Sequence, residues 1–399
     1  MTSVDITLEA VAAANQIEAV EWDACANPGA SYNPFVSHAF FVALEESKSA
    51  CPRTGWGPRH LIARQGDTIL GIVPCYLKSH SQGEYVFDRG WADAYERAGG
   101  NYYPKLQAAV PFTPATGPRL LIRDGGDHDL IRTALGRGLM GLCSATEASS
   151  VHVTFAREDD WQSLAAQGFL QRTDQQFHWH NAGYKSFDDF LATLNSRHRK
   201  AIKRERRDAL ANGITIHALT GDAITEAAWD AFYDFYMDTG SRKWGRPYLT
   251  RDFYTRIGAS MSDRIALIMA RRDGRWIAGA INFIGSDTLF GRHWGAIEQH
   301  PFLHFEVCYY QAIDFAIAHR LKTVEAGAQG EHKIARGYLP QTTYSAHYIA
   351  DPGLRKAVRD YLARERQYVA EASRELTEAG PFRKTDQDHG FQGDDDGGL

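Results

Sequence analysis

The chain has 399 residues with 44 Lys and Arg against 49 Asp and Glu, a net charge of −5. This balance excludes a globally basic protein, argues against DNA as a partner and requires any anion site to be local. The hydrophobic fraction of 44% is ordinary for a globular protein, and the length favours two domains over one core. Without an N-terminal apolar run or a stretch of about 18 apolar residues, the sequence predicts a cytoplasmic protein that does not span a membrane.

Two stretches about 200 residues apart repeat one pattern. Residues 61–73 and 267–281 each contain an apolar strand, a tight Gly/Asp turn and a second strand with a glycine, and Phe-x-Arg-x-Trp follows at 87–91 and at 290–294. Such internal repetition predicts that one fold is used twice, with a cleft between the copies. We therefore predict an N-terminal domain over 1–180, a C-terminal domain with a closing helix over 181–380, and a disordered acidic tail over 381–399.

The remaining elements follow the same order in both halves. The patterns predict helices at 18–26, 37–48, 130–142, 187–212, 226–242, 305–319 and about 358–376, with further strands at 87–91, 151–155 and 323–326. The first half carries about thirty additional residues between Trp91 and its next helix, which we interpret as a long loop. Helices, a meander of strands, then a helix and a strand indicate an α/β (α+β) architecture with the element order of GNAT acyltransferases.

The densest group of chemically active residues lies at 325–340, where a strand enters a glycine-rich loop. Loops at strand ends are common ligand sites, and glycines let backbone N–H groups approach a ligand. The predicted catalytic residues are Glu331, His332, Lys333 and Tyr338, and the predicted substrate-binding residues are Gln329 and Arg336. The alternative is a solvated turn whose charges pair with one another.

The additional segment of the first half is rich in proline and aromatic residues. Its cations are framed by rings, and its hydroxyls and backbone amides suit a phosphate or a carboxylate. The predicted substrate-binding residues here are Tyr102, Tyr103, Lys105, Thr113, Gly117 and Arg119. The alternative is a stiff loop that packs its rings on the neighbouring half.

A cationic strip follows the predicted domain boundary. On a helix, Arg197, Lys200 and Arg204 share one face, which we predict to bind an anion; a solvated face is the alternative. Arg292 either faces a substrate or stacks on Trp294, while His304 and Glu306 either orient a ligand or cap a helix. The five cysteines are scattered without a C-x-x-C pair, so neither a disulfide framework nor a metal site is expected.

Several strings resemble a bacterial FemAB-like family of the GNAT superfamily that is described as peptidoglycan biosynthesis/recognition. The matching strings are GEYVFD at 83–88, YYPK at 102–105, PFTP at 111–114, TGPR at 116–119, LHFE at 303–306 and GAQGEHK at 327–333. The segments 196–204 and 332–338 are similar to the family's Ser-x-x-Arg-x-x-Ile-x-Arg and Phe-Lys-x-x-Phe-Gly segments. The resemblance implies two tandem GNAT folds and transfer of an amino acid from aminoacyl-tRNA to an amine of a cell-wall precursor.

We therefore expect acyl or aminoacyl transfer from an activated donor to an amine. Glu331 or His332 is the expected base, Lys333 and Arg336 are expected to hold a phosphate or stabilise the oxyanion, and Tyr338 to protonate the leaving group. Lys105 and Arg119 are expected to bind the anionic part of the second substrate. No permanently bound cofactor is expected, and the co-substrate is aminoacyl-tRNA or acyl-CoA. The alternatives are a non-catalytic recognition module for peptidoglycan or another anion, and a simple CoA-dependent N-acetyltransferase.

Overall fold

The computed structural model describes residues 5–244, 247–327 and 330–383. The strands are β1 Thr7–Val11, β2 Trp56–Pro58, β3 His60–Gln65, β4 Thr68–Val73, β5 Cys75–Lys78, β6 Lys105–Ala108, β7 Leu121–Ile122, β8 Ser150–Ala156, β9 Leu170–His180, β10 Thr215–Leu219, β11 Ile265–Arg272, β12 Arg275–Ile284, β13 Thr288–Ala296, β14 Thr323–Glu325 and β15 Leu339–Ile349. The helices are α1 Ala19–Ala26, α2 His38–Glu46, α3 Arg89–Arg97, α4 His128–Ala145, α5 Glu158–Ala166, α6 Phe187–Thr193, α7 Ser196–Ala209, α8 Glu226–Trp244, α9 Arg251–Met261, α10 Leu303–Phe305, α11 Gln311–Ala318 and α12 Pro352–Glu378.

One large sheet runs through both halves of the chain. Its eleven strands follow the order β10-β11-β12-β13-β14-β9-β15-β8-β6-β5-β2, and a smaller sheet has the order β1-β3-β4-β7. Strand β9 belongs to the first half by sequence but lies between β14 and β15 of the second half. Backbone hydrogen bonds therefore connect the two repeats directly, and the division at residues 180 and 181 stays a prediction.

The repeated hairpin is confirmed in both halves. Strands β3 and β4 pair antiparallel, as do β11 and β12, and the turn glycines Gly66 and Gly274 have φ of 57° and 79°. These positive values are readily adopted by glycine, which explains the Gly/Asp signal in the sequence. The third repeat element, however, is wrong in the first half.

Arg89 begins helix α3 instead of lying in a strand, whereas the second copy of Phe-x-Arg-x-Trp does lie in strand β13. In α3, Trp91, Ala92 and Tyr95 fall at helical spacing and pack in one hydrophobic cluster with α12. The flanking alanines and charged residues are good helix formers, so the shared triplet did not decide the local structure.

Two other predicted elements differ in the structure. Residues 105–108 of the predicted loop form the fully buried strand β6, which pairs antiparallel with β5 and parallel with β8. Because Lys105 and Gln107 are polar, the hydropathy pattern did not indicate a buried strand here. The single helix predicted over 187–212 is two helices, because Asn195 leaves the helical conformation and accepts a hydrogen bond from the backbone N–H of His198 at 3.1 Å.

The long closing helix is confirmed as α12. It packs on β9, β15 and α3, and Val358 and Leu362 are buried, whereas Tyr368 of the same helix is 72% exposed. Arg172 of β9 donates to both carboxylate oxygens of Glu365, at 2.8 and 2.7 Å. The predicted acidic tail falls outside the described residues from position 384 onward.

Beneath α3 lies a buried ionic network. The Lys105 ammonium donates to Glu84 Oε2 at 2.7 Å and to Ser81 Oγ at 2.8 Å, and it also contacts the Asp88 carboxylate. Tyr102 donates its hydroxyl to the same carboxylate at 2.8 Å. Because these charges are removed from water, each depends on its partners to remain ionised.

Two histidines meet beside this network. His152 Nδ1 and His347 Nδ1 are 2.7 Å apart, so one imidazole donates to the other and both are neutral. Burial lowers the pKa of His152 to about 3 and holds the pKa of His347 well below its usual value. Besides each other, they face the charged groups Lys105, Asp88 and Arg172.

We expect the free energy of unfolding to decrease as the pH falls below about 6.5, where unfolded histidines take up protons that these buried ones refuse. Above that pH the stabilisation is fully present, and each histidine accounts for a loss of about 1.4 kcal/mol per pH unit on the acid side. His347→Gln should therefore reduce the slope of the free energy of unfolding against pH, below about pH 6.5, by the contribution of about one proton. Urea unfolding of wild type and variant at several pH values measures this slope, and equal slopes would contradict the expectation.

Candidate active site

Strands β13 and β14 form a short parallel pair and then separate. The last pair is Phe290 with Glu325; β14 ends there, while β13 continues to Ala296. We call the opening beyond this pair the C-terminal gap. A pocket of about 70 Å³ opens there, lined by Ala280, Asn282, Gly291, Arg292, Trp294, His304, Cys308, Tyr309 and Ala326. Backbone groups of separating strands lose their partners in the sheet and become available to a ligand.

A helical segment with a π turn forms one wall of the C-terminal gap. The π turn covers Glu306–Tyr310 between α10 and α11, and such turns are frequent at functional sites. Glu306 is fully buried and accepts hydrogen bonds from Arg206 at 2.9 and 3.2 Å and from Gln311 at 2.7 Å. These bonds anchor α7 to the π turn, so a substrate contact of Glu306 stays a prediction.

The predicted catalytic loop continues from β14 into a 3₁₀ helix, Glu331–Arg336. Lys333 is only 3% exposed, and its ammonium donates to the backbone oxygen of Gly327 at 3.0 Å. Burial lowers the pKa of Lys333 to about 8, so it remains mostly protonated at neutral pH. The structure therefore keeps a poorly solvated cation, the Lys333 ammonium, beside the pocket.

The other predicted residues of this loop are tied to one another. Tyr309 Oη and His332 Nε2 are 3.0 Å apart, and burial lowers the pKa of His332, which makes its imidazole neutral at neutral pH. Arg336 donates to both oxygens of Glu205, at 3.0 and 2.9 Å, and lies 3.5 Å from the ring centroid of Phe305. The charge of Arg336 is thus already balanced, and its function as a phosphate ligand stays a prediction.

Four further predicted residues of this half lie in different environments or outside the described residues. Tyr338 is fully buried and donates its hydroxyl to the backbone oxygen of Tyr309 at 3.2 Å, so its assignment as the acid for the leaving group stays a prediction. His304 lines the pocket, with its ring centroid 5.2 Å from that of Trp294. Gln329 and the side chain of Glu331 lie outside the described part of the chain.

A second and larger opening, here called the central cleft, lies between the two halves. Its volume is about 830 Å³, and its walls include Asn27, Thr116 and Gly117 from the first half and Glu325 from the second. Glu325 belongs to this cleft, while the next residue, Ala326, lines the pocket of the C-terminal gap. Successive residues of a strand face opposite sides of a sheet, so the two cavities lie on opposite faces at the point where β13 and β14 separate.

Glu325 is the functional candidate that the sequence reasoning missed. It is 8% exposed, and burial raises its pKa to about 8, although Arg292, Arg119 and a hydrogen bond from the backbone of Thr116 act in the opposite direction. His178 Nε2 lies 3.9 Å from Glu325 Oε1, and burial lowers the pKa of His178 to about 3. The available signal was a carboxylate at the end of an apolar strand directly before a glycine-rich loop.

Part of the predicted substrate loop fills the equivalent gap in the first half. Strands β6 and β8 are also parallel and separate after Ala108 and Val153; we call this opening the N-terminal gap. Gly117 donates its backbone N–H to Phe155 at 3.1 Å, and Arg119 donates Nε to Thr154 at 2.9 Å. The backbone and side chains of the loop therefore occupy the position that a ligand would take.

The predicted residues of the first half form two groups. Arg292 donates to the backbone oxygen of Phe112 at 2.6 Å, which joins the loop carrying Thr113, Gly117 and Arg119 to the C-terminal gap. Tyr102 and Lys105 lie instead in the buried network, and Tyr103, half-buried, shares a hydrogen bond of 2.8 Å with Ser81. The ion pairs of Lys105 engage its ammonium within the protein, so an anion-binding role for it stays a prediction.

Helix α7 presents the predicted cationic strip to solvent. Arg197, Lys200 and Arg204 are exposed, and the described residues contain no ion pair that involves them. In contrast, Lys203 lies 3.1 Å from Asp188, and Arg206 turns inward to the π turn. Glu205, on the same helix, pairs with Arg336, so the strip lies beside the loop that carries Lys333.

Comparison with known proteins agrees with this arrangement. A family described as peptidoglycan biosynthesis/recognition, the FemAB-like family, matches residues 13–384. The chain belongs to this FemAB-like family. Membership in this family supports a function in peptidoglycan biosynthesis or recognition.

Several solved structures are similar to this chain at low sequence identity. The crystal structure of FemX has 13% sequence identity to this chain and a TM-score of 0.54, and the match covers 86% of this chain and 98% of FemX. L-PGS from Bacillus licheniformis has 8% sequence identity and a TM-score of 0.51, and the match covers 84% of this chain and 99% of L-PGS. A tandem GNAT protein from the clavulanic acid biosynthesis pathway is 13% identical with a TM-score of 0.43, covering 87% and 99%. No curated protein matches the sequence.

In the described part of the chain, none of the helices has both the length and the apolar character that crossing a bilayer requires.

Proposed function

We propose that this protein transfers an acyl or aminoacyl group from an activated ester or thioester to an amine of a peptidoglycan precursor, with the chemistry at the C-terminal gap. The observation that carries the proposal is the open gap itself, which has a pocket at Arg292 and Ala326 on one face of the sheet and the central cleft at Glu325 on the other. Lys333 is buried in the loop that begins at this junction. Donor and acceptor thus have separate approaches to one point.

The contrast between the two gaps supports a single reaction centre. In the first half, Arg119 fills the N-terminal gap and donates Nη2 to the backbone of Ala115 at 2.7 Å. In the second half, the corresponding opening retains a pocket with a polar wall. A ligand in the first half would have to displace hydrogen bonds that the chain already makes, which is costly for buried groups.

The proposed transfer needs a group that stabilises the oxyanion of the tetrahedral intermediate. Lys333 suits this requirement because a buried ammonium interacts strongly with developing negative charge. His332, held by Tyr309, is the neutral base among the described residues of the loop, and Glu331 remains the alternative base. Arg336 then acts as a positioning residue, because its side chain donates to the backbone oxygen of His332 at 2.7 Å.

The surroundings of the gap favour aminoacyl-tRNA over acyl-CoA as the donor. The exposed cations of α7 suit a polyanion. The diphosphate of an acyl-CoA would bind the backbone N–H groups at the start of the helical segment that begins at Leu303. The loop before it carries Glu298, whose carboxylate is paired with Arg272 at 2.9 Å and His300 at 2.8 Å. Because that carboxylate is already balanced by these partners, the preference for a polyanion rests on the exposed cations of α7.

The α7 strip gives a test of the donor. Replacing Arg197, Lys200 and Arg204 together by Gln should weaken binding of charged tRNA and reduce the slope of log K against log salt by about 2 to 3, one for each lost phosphate contact. Filter binding over a salt series measures both quantities. The matched control replaces two exposed cations of α12, Lys356 and Arg364, by Gln. An unchanged slope in the triple variant would contradict a polyanion on α7.

The function itself is tested by a transfer assay. The protein is incubated with a UDP-linked muropeptide and one donor, which is charged tRNA in one reaction and acetyl-CoA in another. The product is detected by mass spectrometry. We expect a new amide on the muropeptide with charged tRNA. Binding of the muropeptide without transfer from either donor would contradict the proposal and favour a recognition module instead.

A further inference from the structure

The last described residues of the chain lie beside the start of α7. Asn195, the N-cap residue of α7, donates its backbone N–H to Pro381 at 2.9 Å. Arg383 donates its backbone N–H to Thr193 at 3.0 Å and its Nε to the backbone oxygen of Leu194 at 3.2 Å. These bonds hold the segment after α12 against the connection between α6 and α7. The chain that follows Arg383 therefore begins next to the first turn of α7.

The residues that follow Arg383 are strongly acidic. Positions 384–399, here called the acidic tail, contain five aspartates against one lysine. Three of these aspartates are consecutive, at 394–396. Concentrated acidic segments are often interaction tails. The sequence therefore places an anionic segment directly after the point where the chain meets α7.

The exposed face of α7 carries positive charge without local compensation. Arg197, Lys200 and Arg204 of the α7 strip are exposed, and none of them has an ion pair among the described residues. Like charges three or four positions apart on a helix destabilise it by about 0.2–0.5 kcal/mol per pair. The positive end of the helix dipole also lies at the end of α7 where the acidic tail begins. An anionic segment on this face therefore stabilises it.

The length of the acidic tail is sufficient for this contact. From Arg197 to Arg204 the α7 strip extends about 10 Å along the axis, since each helical residue adds about 1.5 Å. An extended chain covers about 3.3–3.6 Å per residue, so the aspartates of the tail can reach every cation of the strip. A short tether between two binding partners gives an effective concentration on the order of millimolar. Weak ion pairs are then sufficient for substantial occupancy.

We propose that the acidic tail binds the α7 strip of its own chain, and that a polyanion must displace the tail to reach α7. This inference rests on the proposed function, because the same strip is assigned there to the donor tRNA. The tail is thus a built-in competitor at the donor surface. A competitor that occupies a site lowers the apparent affinity of a second ligand in proportion to the fraction of sites left free.

The competition selects among anions by size. A small anion that contacts one or two cations gains less than the tail loses when it leaves the strip, whereas a nucleic acid releases counterions at each phosphate contact. The acidic tail therefore excludes small anions more effectively than tRNA. Because both the tail and the nucleic acid bind through charge, salt weakens both contacts.

The first test detects the contact itself, in the full chain and without any nucleic acid. A carbodiimide joins a carboxylate to an amine in direct contact, and Lys200 supplies the amine of the α7 strip. We expect an amide between Lys200 and an aspartate of the tail, found by mass spectrometry of peptides from the monomer. It should disappear in about 1 M salt, where the Debye length is about 3 Å.

Lys356 is the control amine of this test. It is exposed like Lys200 but lies in the first turns of α12, about 33 Å from the C-terminal end of that helix at 1.5 Å per residue. It should form little or no crosslink to the tail. Equal crosslinking of Lys200 and Lys356, or no crosslink at Lys200, would overturn the inference. A crosslink that joins two chains would also overturn it, since the tail would then bind a second copy.

The second test measures the competition. Replacing the five aspartates of the tail by Asn in the full chain should strengthen binding of uncharged tRNA at low salt by about threefold to tenfold. The control variant makes the same change in net charge by replacing five exposed carboxylates by amides, at Asp67, Asp93, Glu96, Asp222 and Asp234. An equal gain in the control would overturn the inference, because net charge alone would explain it.

A third variant locates the competition at α7. With Arg197, Lys200 and Arg204 replaced by Gln, neutralising the tail should no longer change the affinity for tRNA, and a persistent gain would place the tail elsewhere and overturn the inference. The outcomes also separate this inference from the proposed function. If the crosslink and the gain appear without transfer from charged tRNA, the proposed function fails and the tail contact stands. If transfer occurs without the crosslink, the inference fails alone.

Discussion

Lys333→Met is expected to lower kcat for transfer by about 10²–10³-fold with the fold intact. The substitution keeps most of the length of the side chain but removes the ammonium that lies 3.0 Å from the backbone oxygen of Gly327 beside the C-terminal gap. A buried cation interacts with the oxyanion of the intermediate far more strongly than it would in water. Steady-state kinetics with charged tRNA and a muropeptide, together with thermal unfolding, measure the effect.

Lys322→Met is the matched control for this prediction. Lys322 directly precedes β14, and its side chain is 78% exposed, so its loss should leave kcat near wild type. If Lys333→Met retained the full rate, the oxyanion assignment would be wrong. If it raised KM and left kcat unchanged, Lys333 would act in ground-state binding instead.

Lys105→Met is expected to reduce the free energy of unfolding by about 3–5 kcal/mol. The substitution leaves the buried carboxylates of Glu84 and Asp88 without the ammonium that both contact. Removing one partner of a buried ion pair is much more costly than removing the whole group, because an isolated charge remains in a medium of low dielectric. Urea unfolding of wild type and variant gives the difference.

A double variant separates the cost of the unpaired charge from the cost of packing. Glu84 keeps a second partner, Lys78, at 3.7 Å, so only Asp88 loses its lysine partner. Adding Asp88→Asn to Lys105→Met should therefore recover much of the lost stability. Lys200→Met, on the exposed face of α7, serves as the control and should change stability by less than about 0.5 kcal/mol. Equal destabilisation in the single and double variants would contradict the electrostatic explanation.

The fold was largely predictable because its signals are local. The hairpin turns at Gly66 and Gly274 and the amphipathic pattern of α4 depend on neighbours in sequence. The local signals failed where residues distant in the sequence pack against a segment and determine its structure. The Phe-x-Arg-x-Trp triplet is a strand in β13, but in the first half Arg89 begins a helix. Strand β6 was missed because the charge of Lys105 is balanced by residues far along the chain.

The candidate site was predicted only in part. Lys333 was selected because a lysine in a glycine-rich loop after a strand is a local signal, and its catalytic role stays a prediction. Glu325 was passed over, although it is the first residue of the same cluster, because its properties arise from Arg292, Arg119 and Thr116. Burial by residues from both halves raises its pKa, and that burial exists only in the folded chain.

The sequence by itself determined the repeated α/β units, the closing helix and the cationic face of α7, since each depends on periodicity or on residues close in the chain. The tertiary structure decided which repeat keeps an open gap, because the filling of the N-terminal gap by Gly117 and Arg119 is a long-range contact. It also decided that Lys105 lies in a buried ion pair, whereas Glu325 faces a cleft. Burial and charge balance belong to the packed chain, so no local pattern specifies them.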